Sequence, residues 1–585
     1  MSNSQFGPQL HKTFPIYCNH LQHKLLHYSC LAKMIDSYES VMQKIFAIYV
    51  AIALIPAACG SAAANDVAAA CDATLYPEAC VKALASLTAI DGPKKPAEMF
   101  YVSVEFAKSR VVLARDVALN LTSASALRAS TASLSPSQGV DDCLELLDVT
   151  LEQLNAVLHA KKGVTFHDKH TWLSAALTNQ VTCAESMAAV PASGAEGDLL
   201  AGRVEVVGQH VSVSLALHKN VKDETAAASV SVGGNRKLLE ADGGQQFPSW
   251  LTASDRKLLE ASPEEVQADA VVAADGSGTH TTIQEAIEFV TLKASDDGVS
   301  SEKGSTKVIY VKAGTYKEYV NVARKQNNVM LMGDGKGKSV IVGSRSVGEG
   351  WTTYRTATVA AMGSGFIAKG LTIINNSGPS KHQAVALRVG ADKSVVYQCS
   401  IQGYQDTLYT HSNRQFYTET DIYGTVDFIF GNSAVVLQNC YIQPRKPGGG
   451  QKNSITAQGR SDPNQNTGIS FHKSRIQGSS DLGGTATYLG RPWQKYSRTV
   501  VLKTYIDDSV SSAGWEQWSG SFALSTLFYG EYGNTGPGSD TSGRVKWAGV
   551  HPALSEEEAS QFSVAEFIAG NYWLPDTGVS FISGL

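Results

Sequence analysis

The sequence predicts two modules of different fold class, an antiparallel helical bundle followed by a parallel β-helix. Its 585 residues exceed the roughly 250–300 at which a single hydrophobic core stops growing, so more than one domain is expected. Seven of the nine cysteines precede residue 184, whereas six of the eight tryptophans follow residue 350. The hydrophobic periodicity also changes, from helical steps to short β-branched runs.

The amino-acid composition argues against several classes of protein. Charged residues make up 18% of the chain, below the usual ~25%, which argues against a disordered or coiled-coil protein. The net charge of −5 argues against a general nucleic-acid binder, because such proteins carry a basic surface. No cluster of His, Cys and Asp in the sequence indicates a metal site, so we expect no cofactor. Because of the charge balance, we also expect no nucleic-acid partner.

The first region, residues 1–63, contains a strongly apolar run at residues 45–58. A preceding lysine and following small residues are typical of a secretory signal, and the run is short for a membrane span. Its distance from Met1 suggests that Met34 or Met42 is the true start, or that the segment before Met42 is a non-native extension. An uncleaved signal anchor is the alternative. Both predict the secretory pathway, which permits disulfides and sugars.

Residues 64–220 show helical periodicity. Leucines at positions 144, 147, 151, 154 and 158 step by three and four, which places one apolar stripe on a helix whose N-terminus carries Asp141 and Asp142. Four cysteines in this module allow three disulfide connectivities, and spacing alone does not choose among them. They are Cys71, Cys80, Cys143 and Cys183.

Three stretches of this module (CDATLYPEAC, DDCLELLDVTLEQL and WLSAALTNQVTCAES) resemble the plant pectin methylesterase inhibitor domain. The resemblance implies the pairs Cys71–Cys80 and Cys143–Cys183, and a hairpin stapled onto a four-helix bundle. Nothing in the module itself indicates catalysis.

Residues 221–260 read as a linker, because they are polar and aperiodic. A near-duplicate RKLLE occurs within it, so basic pairs stand at Arg236 and Lys237 and again at Arg256 and Lys257. Exposed dibasic steps suit a processing protease, because an extended segment fits its cleft. The resemblance agrees, since precursors of this family are cut at RKLL-type sites.

Residues 261–585 carry a degenerate repeat of a small residue, any residue and isoleucine. The repeating isoleucines are Ile401, Ile422, Ile442, Ile476 and Ile506. The first two steps between them correspond to a unit of about 20 residues, and the last two steps are longer. This pattern suits coils of a parallel β-helix, some of them lengthened by loops.

A β-helix brings residues one coil apart onto adjacent rungs, about 4.8 Å apart. Gln383, Gln405, Asp406 and Asp427 follow this spacing. We therefore expect two carboxylates and two amides to converge on one face, where mutual repulsion raises one carboxyl pKa while the other stays low.

Five blocks in order resemble plant pectin methylesterases over nearly the whole module: GTYKE, QAVAL, QDTL, GTVDFIFG and LGRPW. The resemblance implies a secreted, monomeric, right-handed parallel β-helix that demethylates homogalacturonan (pectin) in the plant cell wall and is bound by separate inhibitor proteins. It also implies that the helical module inhibits the enzyme until cleavage.

By the same resemblance, Asp427 is the nucleophile and Asp406 the general acid and base. Gln383 and Gln405 would donate hydrogen bonds to the oxyanion, and the absence of a GxSxG elbow in this module argues against a serine triad. Substrate-binding positions implied by the family are Thr353, Gln383, Arg491 and Trp493.

The sequence departs from the family at Thr420 and Ser474, where many members have the cysteine partners of Cys399 and Cys440. Two coils of separation exceed the reach of a disulfide, so we expect two buried free thiols. Two other functions remain open: a polygalacturonase or pectate lyase, which can share the fold, and an inactive inhibitor or wall protein.

Overall fold

The computed structural model describes residues 62–89, 92–128, 138–189, 195–221, 267–296 and 306–585. Residues 66–585 form one compact unit. The apolar run at 45–58 and the four basic residues of the predicted processing sites, 236, 237, 256 and 257, lie outside the described residues. In the described ranges, no helix has both the length and the apolar character needed to cross a bilayer.

The N-terminal module is helical, as predicted. Its described helices are α1 Ala62–Asp72, α2 Pro77–Thr88, α3 Pro96–Arg128, α4 Gln138–Leu158, α5 Phe166–Ala189 and α6 Ala195–His218. The long helices α3 to α6 pack together, and disulfides join α1 to α2 and α4 to α5. The pairs are Cys71–Cys80 and Cys143–Cys183, which confirms the connectivity that the resemblance implied.

Helix α4 is buried on more than one face. Leu147 and Leu154 are fully buried in the bundle, whereas Leu144, Leu151 and Leu158 are only half-buried, so the core-facing side is rotated from the predicted stripe. We expected the charge of Asp142 to stabilise the N-terminus of this helix, but its side chain is fully buried. The reason is that α4 also packs against the second module.

The second module contains the strands and three further helices. In chain order the described strands are β1 Ala270–Val272, β2 Lys307–Val311, β3 Gly314–Tyr316, β4 Val320–Val322, β5 Val329–Gly333, β6 Ser339–Gly343, β7 Val359–Ala361, β8 Ile367–Lys369, β9 Thr372–Asn375, β10 Leu387–Val389, β11 Ser394–Tyr397, β12 Ser400–Gln402, β13 Leu408–Thr410, β14 Arg414–Thr418, β15 Asp421–Gly424, β16 Ile429–Gly431, β17 Ala434–Gln438, β18 Tyr441–Pro444, β19 Asn453–Gln458, β20 Gly468–His472, β21 Arg475–Ile476, β22 Thr487–Pro492, β23 Arg498–Leu502, β24 Tyr505–Ile506, β25 Phe528–Tyr532 and β26 Val550–His551. The helices are α7 Ile283–Asp296, α8 Glu556–Ser560 and α9 Val564–Phe567.

These strands form three parallel sheets. The first sheet runs β1-β2-β5-β8-β11-β14-β17-β20-β23-β25-β26, the second runs from β3 through β6 and β9 to β24, and the third runs from β4 through β7 and β10 to β22. Each coil visits the third, first and second sheets in turn, as β10, β11 and β12 do, before the chain returns to the third at β13. This is the predicted parallel β-helix.

The predicted isoleucines stack on successive rungs of the second sheet, and all are fully buried. The stack extends further, because Ile341 and Ile373 pair in the same column. Leu371 replaces the small residue of the repeat before Ile373, so the pattern did not include this rung. Stacked aliphatic side chains form the interior that holds the coils together.

One end of the β-helix and the outer face of its first sheet are covered. Helix α7 buries Ile283 and Ile287 in the interior cluster, and the Glu318 carboxylate accepts hydrogen bonds from the first backbone amides of this helix. On the first sheet, Leu437 points inward while Val436 packs beneath the C-terminal segment. Both faces of that sheet are therefore apolar.

The cysteine register agrees with the prediction. Ser400 pairs with Asp421, which pairs with Tyr441, so Cys399 and Cys440 lie two rungs apart with Thr420 between them. Both are buried free thiols. Burial raises the pKa of each thiol to about 12, so neither is reactive as a thiolate.

The sequence contains two Asn-x-Ser/Thr glycosylation triplets, which begin at Asn120 and Asn375, and the second is closed in the folded chain. Asn375 is buried, and its amide nitrogen donates to the carbonyls of Arg345 at 2.9 Å and Val385 at 3.1 Å. A glycan needs that nitrogen exposed. Asn120, in the other triplet, is exposed on α3.

Candidate active site

The two predicted catalytic carboxylates stand on adjacent rungs. Leu408 in β13 pairs with Ile429 in β16, and Asp406 and Asp427 each lie two positions earlier. The backbone amide of Asp406 donates to the Val426 carbonyl at 3.1 Å, which extends the same pairing. The structure therefore places the two carboxylates where the coil spacing predicted.

Both aspartates have left-handed backbone conformations, with φ of 62° at Asp406 and 52° at Asp427. They lie at the corner where the chain turns from the second sheet into the third. Aspartate tolerates this region better than most residues, yet the conformation is uncommon and occurs where the surrounding structure enforces it. The turn directs both side chains out of the sheet and into one cavity.

That cavity has a volume of about 340 Å³ and collects every catalytic and substrate-binding residue that the sequence predicted. Its walls include Thr353, Gln383, Gln405, Asp406, Asp427, Arg491 and Trp493. These residues are far apart along the chain, and stacking of the coils brings them together.

Arg491 fixes the Asp427 carboxylate. Its Nε donates to Oδ1 at 2.8 Å and its Nη2 to Oδ2 at 2.7 Å, a bidentate ion pair. The Trp518 ring lies against the other side of the guanidinium, 4.6 Å from its central carbon to the ring centroid. The arginine is thus held between a carboxylate and an indole.

The surroundings of the two carboxyl groups shift their pKa values by different causes. Burial raises the pKa of Asp406 well above its ordinary value, and the neighbouring Asp427 raises it further. Burial also raises the pKa of Asp427, against the opposing effect of Arg491. The expectation that one pKa stays low is therefore wrong, because both groups are desolvated. Direct pairing with Arg491 still makes Asp427 the first of the two to ionise.

An aromatic wall that the sequence reasoning missed lines the same cavity. Tyr409 stacks on Phe430 with ring centroids 4.2 Å apart, and Phe430 meets Trp493 edge-on at 5.9 Å. Tyr354 and Trp518 complete it. A signal was present, since Tyr409 and Phe430 each follow one of the two aspartates by three positions and so share their coil spacing.

Helix α5 contributes to the wall of the cavity. The cavity is lined by Thr182, Glu185, Ser186 and Ala189 of this helix, together with the two carboxylates. Glu185 accepts a hydrogen bond from Gln494 Nε2 at 3.2 Å, and burial raises the pKa of this carboxyl to about 8. The bundle therefore inserts an uncharged acid side chain beside Asp406.

Polar contacts hold the bundle around the cavity. Thr352 donates to Asp142 at 2.6 Å, and the Arg355 Nε lies 2.5 Å from the same carboxylate. Arg414 Nη2 donates at 2.6 Å both to Asp168 of the bundle and to Asp392 of its own module. Burial alone would raise the pKa of Asp168, but Arg414 and neighbouring donors lower it to about 2.

A parallel β-helix with two stacked carboxylates, amide side chains and an arginine in one aromatic cleft is the architecture of an enzyme, and a helical domain covers that cleft. Comparison with known proteins identifies the class further. The pectinesterase family profile matches residues 269–571, and the plant invertase/pectin methylesterase inhibitor profile matches residues 65–217.

The most similar relatives include two plant proteins. The chain is 54% identical over 488 residues to the probable pectinesterase/pectinesterase inhibitor 35 of Arabidopsis thaliana, covering 83% of this chain and 88% of the relative. It is 46% identical over 525 residues to pectinesterase 2 of Citrus sinensis, covering 89% and 95%. The solved pectin methylesterase from carrot matches with a TM-score of 0.52 and 52% identity, covering 55% of this chain and 99% of that one.

The chain belongs to the pectinesterase family and carries an N-terminal inhibitor-family domain. The carrot structure supports the right-handed parallel β-helix that the resemblance implied. These comparisons do not support the alternatives of a polygalacturonase or pectate lyase, or of an inactive inhibitor or wall protein.

Proposed function

We propose that this chain hydrolyses the methyl esters of homogalacturonan in the plant cell wall, releasing methanol and pectate. The single observation that carries the proposal is the pair of stacked carboxylates, one of which is held by Arg491 inside the cleft. The relatives' names supply the substrate class. The domain bounds that accompany the proposal are 64–220 for the inhibitor-like domain, 221–260 for the linker and 261–585 for the esterase.

In the proposed reaction, an ionised Asp427 oxygen attacks the C6 carbonyl carbon of the methyl ester. Charge develops on the carbonyl oxygen, for which Gln383 and Gln405 offer amide N–H donors. The C6–methoxy bond then breaks, and Asp406 gives its proton to the departing methoxide, so methanol leaves and an acyl anhydride with Asp427 remains.

Asp406, now ionised, takes a proton from a water molecule that attacks the same carbon. The acyl bond breaks, the substrate leaves as a carboxylic acid, and Asp427 is regenerated as a carboxylate. The raised pKa of Asp406 suits the acid role, and the Arg491 ion pair suits the nucleophile. Thr353 and Trp493 line the cavity where a sugar ring would bind.

The test is methanol release from methyl-esterified homogalacturonan by the chain cut within residues 222–266. Asp427→Asn should lower kcat by about a thousandfold or more, because it removes the nucleophile. Asp421→Asn is the matched control. Asp421 lies in β15 of the second sheet, pairs with Lys336 and does not line the cavity, so this variant should retain activity. Wild-type activity in Asp427→Asn would reject the assignment, and viscosity loss without methanol would indicate depolymerisation.

The proposal includes control by the helical domain. Its side chains line the cavity that holds Asp427, so we expect the docked domain to obstruct the substrate. A protease acting at the RKLL sites would allow release in the secretory pathway or wall. The full chain should therefore release methanol slowly, and cutting the linker should increase the rate after the domain dissociates.

Asp142→Ala offers a second route to the same result. It removes a buried carboxylate that binds Thr352 and Arg355 of the esterase module, so the uncut chain should gain activity. Glu105→Ala is the control, because Glu105 is exposed and pairs with Lys108 of its own helix. Equal rates from cut and uncut wild type would reject inhibition.

A further inference from the structure

Helix α4 places two carboxylates against hydrogen-bond donors of the esterase module. Asp142 and Glu145 are three positions apart, so they lie on one face of the helix. Asp142 accepts a hydrogen bond from the Thr352 hydroxyl at 2.6 Å, and Glu145 accepts one from the Tyr354 hydroxyl at 3.0 Å. The Arg355 guanidinium faces both acids, with Nε 2.5 Å from Asp142 and Nη2 3.9 Å from Glu145. One short segment of the esterase module therefore binds two carboxylates that belong to the other domain.

This segment adjoins the catalytic cavity. It consists of Thr352 and the short 3₁₀ helix Thr353–Thr356, which precedes β7. Tyr354 lines the cavity that holds Asp427, whereas the two acids of α4 do not. The Arg355 side chain is 32% exposed even beside the docked domain, so the segment lies at the edge of the contact. A carboxylate bound by this segment therefore lies next to the catalytic cavity, at a position that solvent can reach.

A second arginine adds positive charge at the same place. The guanidinium carbon of Arg388, in β10, lies 3.4 Å from the centroid of the Tyr354 ring. Arg388 is 4% exposed, and its Nη1 donates to the Met362 sulfur at 3.2 Å. Among the described residues, no carboxylate forms an ion pair with Arg388, and its Nε has no hydrogen-bond partner. A buried charge without a counter-ion is costly, and stacking on an aromatic ring offsets only part of that cost. The surroundings of Tyr354 therefore favour an anion.

The proposed substrate carries the matching group. Each sugar of homogalacturonan has a carboxyl group at C6, which is an ester before the reaction and an ionised carboxylate after it. Each turnover of the proposed esterase therefore leaves a free carboxylate beside the remaining esters. When the helical domain leaves, Thr352, Tyr354 and Arg355 lose their acceptors, and a galacturonate carboxylate offers the same acceptor group and the same charge.

We propose that Thr352, Tyr354 and Arg355 form a subsite for a free galacturonate carboxylate, which Asp142 and Glu145 occupy while the helical domain is docked. Arg355 supplies the charge that distinguishes a free carboxylate from a neutral methyl ester. The subsite favours esters that neighbour a demethylated sugar, so demethylation proceeds in blocks along the polymer. This inference rests on the proposed function, which supplies the substrate class.

The experiment compares wild type with Arg355→Gln in the chain cut within residues 222–266, at a concentration at which gel filtration shows that the helical domain has separated. The first measurement is the dissociation constant of fully de-esterified hexagalacturonate, followed by tryptophan fluorescence. Arg355→Gln should raise it about 5- to 10-fold, because a charged hydrogen bond at a partly exposed site contributes that much. Arg355→Lys retains the charge without the planar fork and should fall between the two.

The second measurement is the preference among substrates. The ratio of kcat/KM for half-esterified to kcat/KM for fully esterified homogalacturonan should fall by a similar factor in Arg355→Gln. NMR of the product should then show methyl esters removed at random positions, whereas the wild-type product should contain demethylated blocks.

Arg475→Gln is the control for the loss of one positive charge. Arg475 is exposed on β21 of the second sheet, where its guanidinium stacks on Tyr505 and its Nε donates to Gln477. This variant should match wild type in both measurements. An unchanged dissociation constant in Arg355→Gln, or an equal change in Arg475→Gln, would overturn the proposal. Hexagalacturonate binding needs no turnover, so this failure is distinguishable from that of the proposed function, which fails if Asp427→Asn retains activity.

Discussion

Two kinds of contact hold this molecule together, and they differ in chemistry. Between coils of the β-helix, fully buried aliphatic and aromatic side chains stack rung on rung, as Leu437 does between Tyr417 and Phe471. Between the helical domain and the β-helix, hydrogen bonds and ion pairs surround one apolar patch, through which residues such as Tyr409, Phe430 and Val385 join the hydrophobic cluster of the bundle. The first contact resembles a domain core, and the second resembles an interface between separate proteins.

The difference indicates which contact can open. A stack of apolar rungs exposes hydrophobic surface whenever it separates, so it stays closed for the life of the fold. When a polar contact separates, water replaces the lost hydrogen-bond partners, so the cost in free energy is smaller. We therefore expect the contact over the cleft to open more readily than the stack, and three measurements test this comparison.

The largest effect is expected in the stack. Leu437→Ala should destabilise the β-helix by about 3 kcal/mol, because it leaves a cavity in a fully buried interior. Urea unfolding would measure the loss, with Val340→Ala, half-buried on the second sheet, as the control. The dissociation constant of the helical domain should stay unchanged, and a large change in that constant would contradict the separation of the two contacts.

The next effect is a pH dependence of docking that originates at Glu185. Its pKa is about 8 when docked against an ordinary value of 4.5, so the docked state holds a proton that the free domain loses. Stability that depends on a raised carboxyl pKa is present at low pH and falls as pH rises towards the docked value. Asp406 and Tyr409 face this group, and Arg491 lies in the same cavity paired with Asp427.

Between about pH 6.5 and pH 8, the affinity of the cut helical domain should fall about tenfold per pH unit. Below that range His170 opposes the trend, because burial lowers its pKa to about 4 and docking then expels a proton. Glu185→Gln keeps the hydrogen-bonding shape and should flatten the slope. Gel filtration of the cut chain across this range provides the measurement, and an equally steep slope in the variant would contradict the assignment.

The smallest effect distinguishes buried from exposed ion pairs at the same contact. Asp168→Asn should weaken docking about tenfold, since it removes a charged hydrogen bond while Arg414 keeps Asp392. Glu152→Gln breaks the pair with the half-buried Arg324 and should change affinity by less than about fivefold. Equal losses would mean that burial does not rank these contacts.

The positions of Asp406 and Asp427 could be predicted because their signal is periodic, whereas their roles and the remaining site residues came from the family resemblance. Asp406 and Asp427 repeat at the same interval as Ile401 and Ile422, so one spacing located both core and site. Trp518 enters the cavity from a loop with no repeat at all.

The covering of the cleft could not be predicted in detail. Asp142 and Glu185 look like ordinary helix-surface acids, because their partners Arg355 and Gln494 lie far along the chain in another module. The same holds for Asp168, whose partner in the second module is Arg414. Such pairs are chosen by the shapes of two folded surfaces, and no local pattern records them.

By themselves, residue type and spacing along the chain determined the two fold classes and the placement of Asp406 and Asp427 on adjacent coils, whereas the pairing of the four cysteines came from the resemblance to the inhibitor family. Only the tertiary structure decided that Glu185 of the helical domain lies in the cleft with a raised pKa, and that burial raises the pKa of both aspartates. Desolvation and side-chain pairing depend on what surrounds a residue in space, which exists only once both modules have folded and met.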